Sequence, residues 1–213
     1  MINLKPYHIQ DFYDHKLQND HVSAATIHHY HASMHKALNY AVRMERIAAN
    51  PADKVTLPKK EKHISNHYSA EELKQVLEKA KGTQIEPVVR LAAWFGLRRG
   101  EIIGMRWSSI DFENNVLSVT GTVKDKGLSG LKIRNMYYES STKTAASLRS
   151  FPMSEEVATY LTGLKAQQAI QKAKEGYNHT WDDFVCVRPN GDLIPPEYVT
   201  RAFPKLCEAC GLR

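Results

Sequence analysis

Residues 88–111, VVRLAAWFGLRRGEIIGMRWSSID, constrain the fold more than any other stretch of the chain. The first part has the apolar spacing of a helix and stops at Gly96-Leu97. Arg98, Arg99 and Glu101 follow at once, then a short amphipathic turn with Ile102, Ile103 and Met105, then Trp107 and the strand-like Ile110, Asp111 and Phe112. The arginines therefore stand at a junction between elements. A guanidinium held where a helix end meets a loop can rest half-buried against apolar neighbours and still face a polar ligand. Arginine suits a phosphate there because its planar fork makes two parallel charge-assisted hydrogen bonds and keeps its proton. Glu101 can fix that fork by accepting the hydrogen bonds a phosphate leaves unused. The plainer alternative is a surface Arg–Glu pair at helical spacing, which contributes a few tenths of a kcal/mol.

The run G-L-R-R-G-E, followed by an apolar turn, R-W and S-x-I-D-F, resembles the first arginine box of the tyrosine recombinases, the phage and transposon integrases. The resemblance implies that Arg98 grips the scissile phosphate, that Glu101 supports the site, and that Arg99 occupies a variable position. Downstream, S-T-K-T-A-A-S-L-R-S-F-P-M resembles the hairpin carrying the family's catalytic lysine, which falls on Lys143. The two motifs occur in the family's order, and the resemblance runs through nearly the whole chain. It further implies cutting and rejoining of DNA through a 3′-phosphotyrosyl intermediate, without metal or ATP, because the covalent link conserves the bond energy.

Composition agrees with a partner of that kind. The 213 residues, 42% apolar, suffice for one large or two small domains with a real core. A net charge of +6 argues for an acidic partner, and the basic residues are spread through folded-looking segments instead of forming one tail. Three cysteines fit a reducing cytosol better than a disulfide framework. No window approaches the roughly 18 consecutive apolar residues of a membrane span, and the N-terminus lacks a charged-then-apolar signal pattern. The expectation is a soluble, cytoplasmic protein.

In chain order, residues 9–17 read as a short helix and 22–48 as a long one. In the second, Ile27, Met34, Leu38, Ala41 and Val42 recur at helical spacing until Asn50-Pro51 stops the pattern. Residues 23–51 resemble the end of the family's core-binding domain, which implies a partial helical domain over 1–51. His28, His31 and His35 could share a helix face, but no Cys, Asp or Glu in that stretch completes a metal ligand set, so a polar face toward DNA or solvent is expected. Residues 52–66, ADKVTLPKKEKHISN, read as a linker. Lys59, Lys60 and Lys62 are candidate phosphate contacts there, against the reading of simple solvated lysines.

Ser69 opens S-A-E-E-L, with Glu72 at capping-box spacing, and predicts a helix over 70–81. Strands over 115–123, 133–141 and 148–153 would make one small antiparallel sheet, with Lys143 near the tip between the last two. A lysine so placed can present a proton donor beside a leaving oxygen, which is general acid catalysis; otherwise it is a solvated turn residue. Arg99, Lys132 and Arg149 are further candidate DNA contacts. A helix from 154 to 174, an apolar strand over 183–187, a turn at Asn190-Gly191 and a last helix over 196–210 complete the reading. Cys207 and Cys210 have C-x-x-C spacing without a second pair or a partnering histidine, and read as small residues on a packed helix.

The expected architecture is mainly α with a small antiparallel β-sheet. It divides into an incomplete helical core-binding domain (1–51), a linker (52–66) and the N-terminal part of an integrase-type catalytic domain (67–213). In the family an H-x-x-R box and a nucleophilic tyrosine follow the last helix. The sequence reaches Gly211-Leu212-Arg213 before either, and none of its ten tyrosines stands in the nucleophile's context. The expectation is thus a fragment truncated at both ends and inactive alone, whose full-length form recombines double-stranded DNA as a homo-oligomer, with no cofactor, metal or membrane. The alternatives are a non-cleaving module that occupies a recombination site and a helical interaction protein whose charge is incidental.

Overall fold

The computed structural model describes residues 4–60, 67–127, 134–140 and 149–212, in two units, Met1–Asn66 and His67–Arg213. In the first unit, helix α1 (Pro6–Gln18) starts on a proline, whose missing N–H would have had no helical partner there. Helix α2 (Ala24–Arg43) starts at Ser23, whose hydroxyl accepts the Thr26 N–H. Ile9, Tyr13, Ile27, Leu38 and Ala52 form the core, ringed by Leu4, Leu17, Val22, Met34, Ile47, Val55 and Leu57.

Two expectations for this unit are corrected. Helix α2 ends at Arg43, not at 48. Glu45 turns left-handed (φ 53°), the Arg46 N–H reaches the Ala41 carbonyl at 2.9 Å, and the Glu45 N–H reaches Val42 at 2.9 Å. That is a Schellman termination, and it needs no proline. The stretch 52–66 is not an open linker throughout. Pro51–Lys54 is a 3-10 turn with Ala52 buried, and the Thr56 N–H donates to Gln10 Oε1 at 2.8 Å. Asn50 caps the turn, accepting from Ala52 N–H at 2.9 Å and donating to Asn39 Oδ1 at 2.8 Å.

Three histidines of α2, His28, His31 and His35, also pack against other segments of their own unit, rather than facing only DNA or solvent. His28 Nε2 bonds the Pro58 carbonyl at 2.9 Å, His31 Nδ1 meets the buried Tyr13 hydroxyl at 3.2 Å, and His35 Nε2 meets Asp53 at 2.7 Å. Their spacing of three and four residues places all three on one face, and that face is a seam. Burial, with His35 and His28 beside it, lowers the pKa of His31.

In the second unit, α3 (Ala70–Ala80) begins at the predicted capping box. Ser69 Oγ accepts from the Glu72 N–H at 3.2 Å, and the Glu72 carboxylate accepts from the Ser69 N–H at 2.7 Å. Helix α4 (Glu86–Phe95) buries Val88, Val89 and Leu91 and is ended by Gly96 at φ 60°, a conformation glycine adopts without a Cβ clash. Helix α5 (Arg99–Ile103) follows directly, then strands β1 (Ile110–Asp111), β2 (Val116–Val119), β3 (Gly121–Gly127), β4 (Arg134–Ser140) and β5 (Arg149–Pro152). Helix α6 (Glu155–Lys172), capped by Ser154, and helix α7 (Pro196–Glu208) complete it. The fold is mainly α with small antiparallel sheets.

The strands form two sheets where one was expected. One has the order β1-β2-β5 and the other pairs β3 with β4, so the run 115–123 breaks at Thr120 and its halves go to different sheets. Alternation with period two is the same on both sides of the break, so the sequence could not reveal the change of partner. Among the described residues, β4 and β5 therefore do not pair with each other: β4 pairs with β3 (Val123 opposite Tyr138) and β5 pairs with β2 (Val119 opposite Arg149). Residues 183–187 are not a strand either; they make isolated bridges, Arg106 with Phe184 and Val187 with Leu193. The apolar run Phe184, Val185 and Cys186 is core, a pattern that periodicity alone does not separate from a strand.

Leu91, Ile102, Ile103, Leu117, Leu161, Val185 and Ile194 are the fully buried centre of this unit. Each such side chain contributes about 1.5–3 kcal/mol by leaving water. Ile102 and Ile103 lie on α5, so the short helix after the arginines is pinned to the core by its own sequence. No helix among the described residues is long and apolar enough to cross a membrane.

Candidate functional site

The left-handed Gly96 turns the chain out of α4, and buried Leu97 anchors it before Arg98. Arg98 is extended (φ −68°, ψ 146°) and precedes the first residue of α5, so its side chain leaves the surface while Ile102 and Ile103 point into the core. The Arg98 side chain is 81% exposed and that of Glu101 only 14%. One Glu101 oxygen accepts from Arg98 Nη1 at 3.1 Å, and the other accepts from the Arg98 backbone N–H at 2.9 Å. The second oxygen also receives Arg149 Nη2, from the start of β5, at 2.7 Å. Two guanidiniums thus converge on one carboxylate. Burial alone would raise the Glu101 pKa, but hydrogen bonds from the Arg98 N–H and guanidinium and the charge of Arg149 outweigh it and hold the carboxyl below its usual range.

The platform behind these groups is tightly built. Gly104 ends α5 against β3: a Cβ there would stand 3.0 Å from the Val123 nitrogen and 3.1 Å from the Thr122 Cα. Arg106 lies over the Tyr138 ring (4.1 Å) and the Phe184 ring (5.1 Å). Trp107 Nε1 donates to buried Gln168 Oε1 at 3.0 Å, and Gln168 Nε2 donates to the Val185 carbonyl at 2.8 Å. The Ser108 N–H donates to Asp183 at 2.9 Å, and the Trp107 N–H to the Asp183 carbonyl at 2.7 Å. These bonds fix the segment after α5 to residues 183–185.

Of the residues singled out from sequence, Arg98, Glu101 and Arg149 come together. Arg99 is exposed, but its Nη1 donates to Thr200 Oγ1 on α7, and that hydroxyl donates to the Pro196 carbonyl at 3.1 Å. Arg99 thereby ties α5 to α7. Lys59 and Lys60 are exposed residues of the first unit. Lys132, Lys143 and Lys62 lie outside the described residues. The partnership of Arg149 with Glu101, and the bracing by Arg106 and Gln168, were not foreseen from sequence. Arg149 carried a signal in its motif, S-x-R-x-F-P, whereas Gln168 is one of several glutamines on a helix and carried none. Among the described residues no group of three His, Cys, Asp or Glu side chains could hold a metal ion. Cys207 is buried with its thiol 3.2 Å from the Tyr68 hydroxyl, and Cys210 is half-buried.

No family model matches the chain. It is 28% identical over 221 residues to a tyrosine recombinase XerC-like protein of Caldanaerobacter subterraneus subsp. tengcongensis, covering 98% of this chain and 56% of the relative. The chain thus spans about half the length of that curated relative. Its fold is similar to that of the Tn1549 transposon integrase in complex with a circular intermediate DNA, with a TM-score of 0.79 at 18% identity over 99% of this chain and 66% of the other. It is also similar to the lambda integrase tetramer bound to a Holliday junction, with a TM-score of 0.66 at 16% identity over 100% of this chain and 55% of the other. The sequence at the start of α5, an alignment running the length of the chain and this shared fold together make the chain similar to the tyrosine recombinases, the phage-type integrases.

Proposed function

We propose that the chain holds duplex DNA and positions a scissile phosphate for site-specific recombination. The carrying observation is the exposed Arg98 fork set on a nearly buried Glu101 carboxylate. In this reading Arg98 Nε and Nη2, which have no protein acceptor among the described residues, receive the non-bridging phosphate oxygens as paired charge-assisted bonds. They stabilise charge that develops when the phosphorus is attacked. Glu101 holds the guanidinium in that attitude. Lys143 gives its proton to the departing 5′-oxygen while a tyrosine hydroxyl loses its proton to a general base and forms the new bond to phosphorus, and the 3′-phosphotyrosyl link keeps the energy for rejoining. That covalent reaction belongs to the whole protein, to which these residues contribute the first arginine box and the lysine.

The domain roles follow the same reading: residues 1–51 belong to a core-binding domain and 67–213 to a catalytic domain, with Lys59 and Lys60 between them touching phosphates. Exchange of strands between two duplexes calls for several copies on the DNA. The protein acts where that DNA lies, in the cytoplasm.

Titration of duplex binding against salt tests the reading. Arg98→Ala should weaken binding about 10-fold and reduce the slope of log affinity against log salt by about 0.9, the loss of one phosphate contact. Unchanged affinity and slope would refute it.

A further inference from the structure

Glu101 has two oxygens, and they are used unequally. Oε1 takes Arg98 Nη1; Oε2 takes the Arg98 backbone N–H and Arg149 Nη2. An arginine three residues from a carboxylate has a ready alternative, which is to close both prongs of its fork on the two oxygens. Closed in that way, Arg98 would be neutralised by its own neighbour and would face the protein. The Arg98 fork instead remains 81% exposed with a single prong on Glu101. The group on the other oxygen is the Arg149 guanidinium, which arrives from β5.

We infer that Arg149 is a positioning residue for the phosphate site: it occupies Glu101 Oε2, prevents Arg98 from closing its fork on the carboxylate, and so keeps that fork presented outward. The inference rests on the reading of Arg98 as the phosphate-binding group. Three features of Arg149 favour this role over direct contact with DNA. Its Nη2 is already engaged at 2.7 Å. Its Nε is buried without a partner, so a phosphate arriving from solvent cannot reach it. The strand pairing of β5 with β2, Val119 opposite Arg149, anchors its backbone and sets the reach of the side chain.

Charge points the same way. Glu101 with Arg98 alone is a neutral pair, and a second guanidinium leaves the cluster with net positive charge, which is what an incoming phosphate meets. The carboxylate is also 14% exposed, and a shielded charge of that kind is stabilised by having each oxygen paired.

The test is a mutant cycle read by affinity for a short DNA duplex at one salt concentration, by fluorescence anisotropy. Arg149→Gln should weaken binding about 5-fold, the low end of the loss of one charged hydrogen bond. Arg149→Lys, which can still place a cation on Oε2, should recover most of that loss; this rescue separates positioning by charge from general damage to β5. In an Arg98→Ala or a Glu101→Gln background the same Arg149→Gln change should cost less than about 2-fold, because no fork remains to be kept open. If Arg149→Gln weakens binding by the same factor in those backgrounds as in the parent, Arg149 touches DNA itself or acts through the fold, and the inference is overturned. No loss from Arg149→Gln in the parent also overturns it. Should Arg98→Ala alone leave affinity unchanged, the reading of the site fails and this role fails with it. Melting curves of each variant accompany the binding data. If Arg149→Gln does not fold, Arg149→Met takes its place in the cycle: the same loss with and without Arg98 refutes, and disappearance of the loss without Arg98 supports.

Discussion

Gln168 offers the sharpest test of how the arginine platform is held. It is 4% exposed and makes two bonds, accepting from Trp107 Nε1 and donating to the Val185 carbonyl. Gln168→Leu keeps approximately the same volume and leaves a buried indole N–H and a buried carbonyl without partners. Each such group costs about 1–3 kcal/mol, and the gain from a more apolar side chain offsets part of it, leaving about 3 kcal/mol of destabilisation. Trp107→Phe removes the donor from the other side. The double variant Trp107→Phe with Gln168→Leu then leaves only the Val185 carbonyl unpaired, two orphan groups fewer than the two single changes imply together, and should be less destabilised than their sum by about 2 kcal/mol. All three tryptophans, Trp94, Trp107 and Trp181, lie in the unit His67–Arg213, so urea unfolding followed by their emission reports on this unit. With a slope of about 2 kcal/mol per M, Gln168→Leu should lower the urea midpoint by about 1.5 M. A shift below about 0.3 M, or additive single changes, would refute the view that this bond pair fixes the segment behind Arg98.

Further consequences follow from the same structure. Gly104→Ala would set a Cβ 3.0 Å from the Gly100 carbonyl oxygen and the Val123 nitrogen, backbone atoms that cannot rotate away. It should cost about 1–3 kcal/mol and lower the melting temperature of this unit by about 3–8 °C in circular dichroism; an unchanged melt would show that α5 is not pressed on β3. In the first unit, His31 has its pKa lowered by burial, then by His35 and His28, with Asp53 acting the other way, and it meets the Tyr13 hydroxyl. A histidine whose folded pKa lies below its ordinary 6.5 resists protonation when folded. Its contribution to stability is therefore full above about pH 6.5 and is lost as the pH falls from there toward the folded value. An NMR titration should place the His31 midpoint below the ordinary 6.5, and a midpoint at or above that value would exclude the seam.

How much of this was legible beforehand depends on the range of the forces involved. The helix start at Ser69 was readable because a cap is a contract between residues three apart. The end of α2 was misread by five residues because a Schellman turn at Glu45 needs only a left-handed residue, and glutamate does not advertise one. The histidine face of α2 was predicted as a face and mistaken in its direction, since period fixes which residues are neighbours on a helix but not what lies against them.

The site divides along the same line. Arg98 and Glu101 are neighbours along the chain, so the sequence by itself determined that a guanidinium and a carboxylate would meet at the end of an apolar helix. It also determined a mainly helical chain with short strands, through local propensity and period. Only the tertiary structure decided that β2 would pair with β5 while β3 took β4, and with that choice Arg149 was carried to the second oxygen of Glu101. Strand partners are chosen by burial of whole faces across long stretches of chain, a non-local balance that no residue spacing records. Whether Glu101 meets one guanidinium or two is settled by that distant choice.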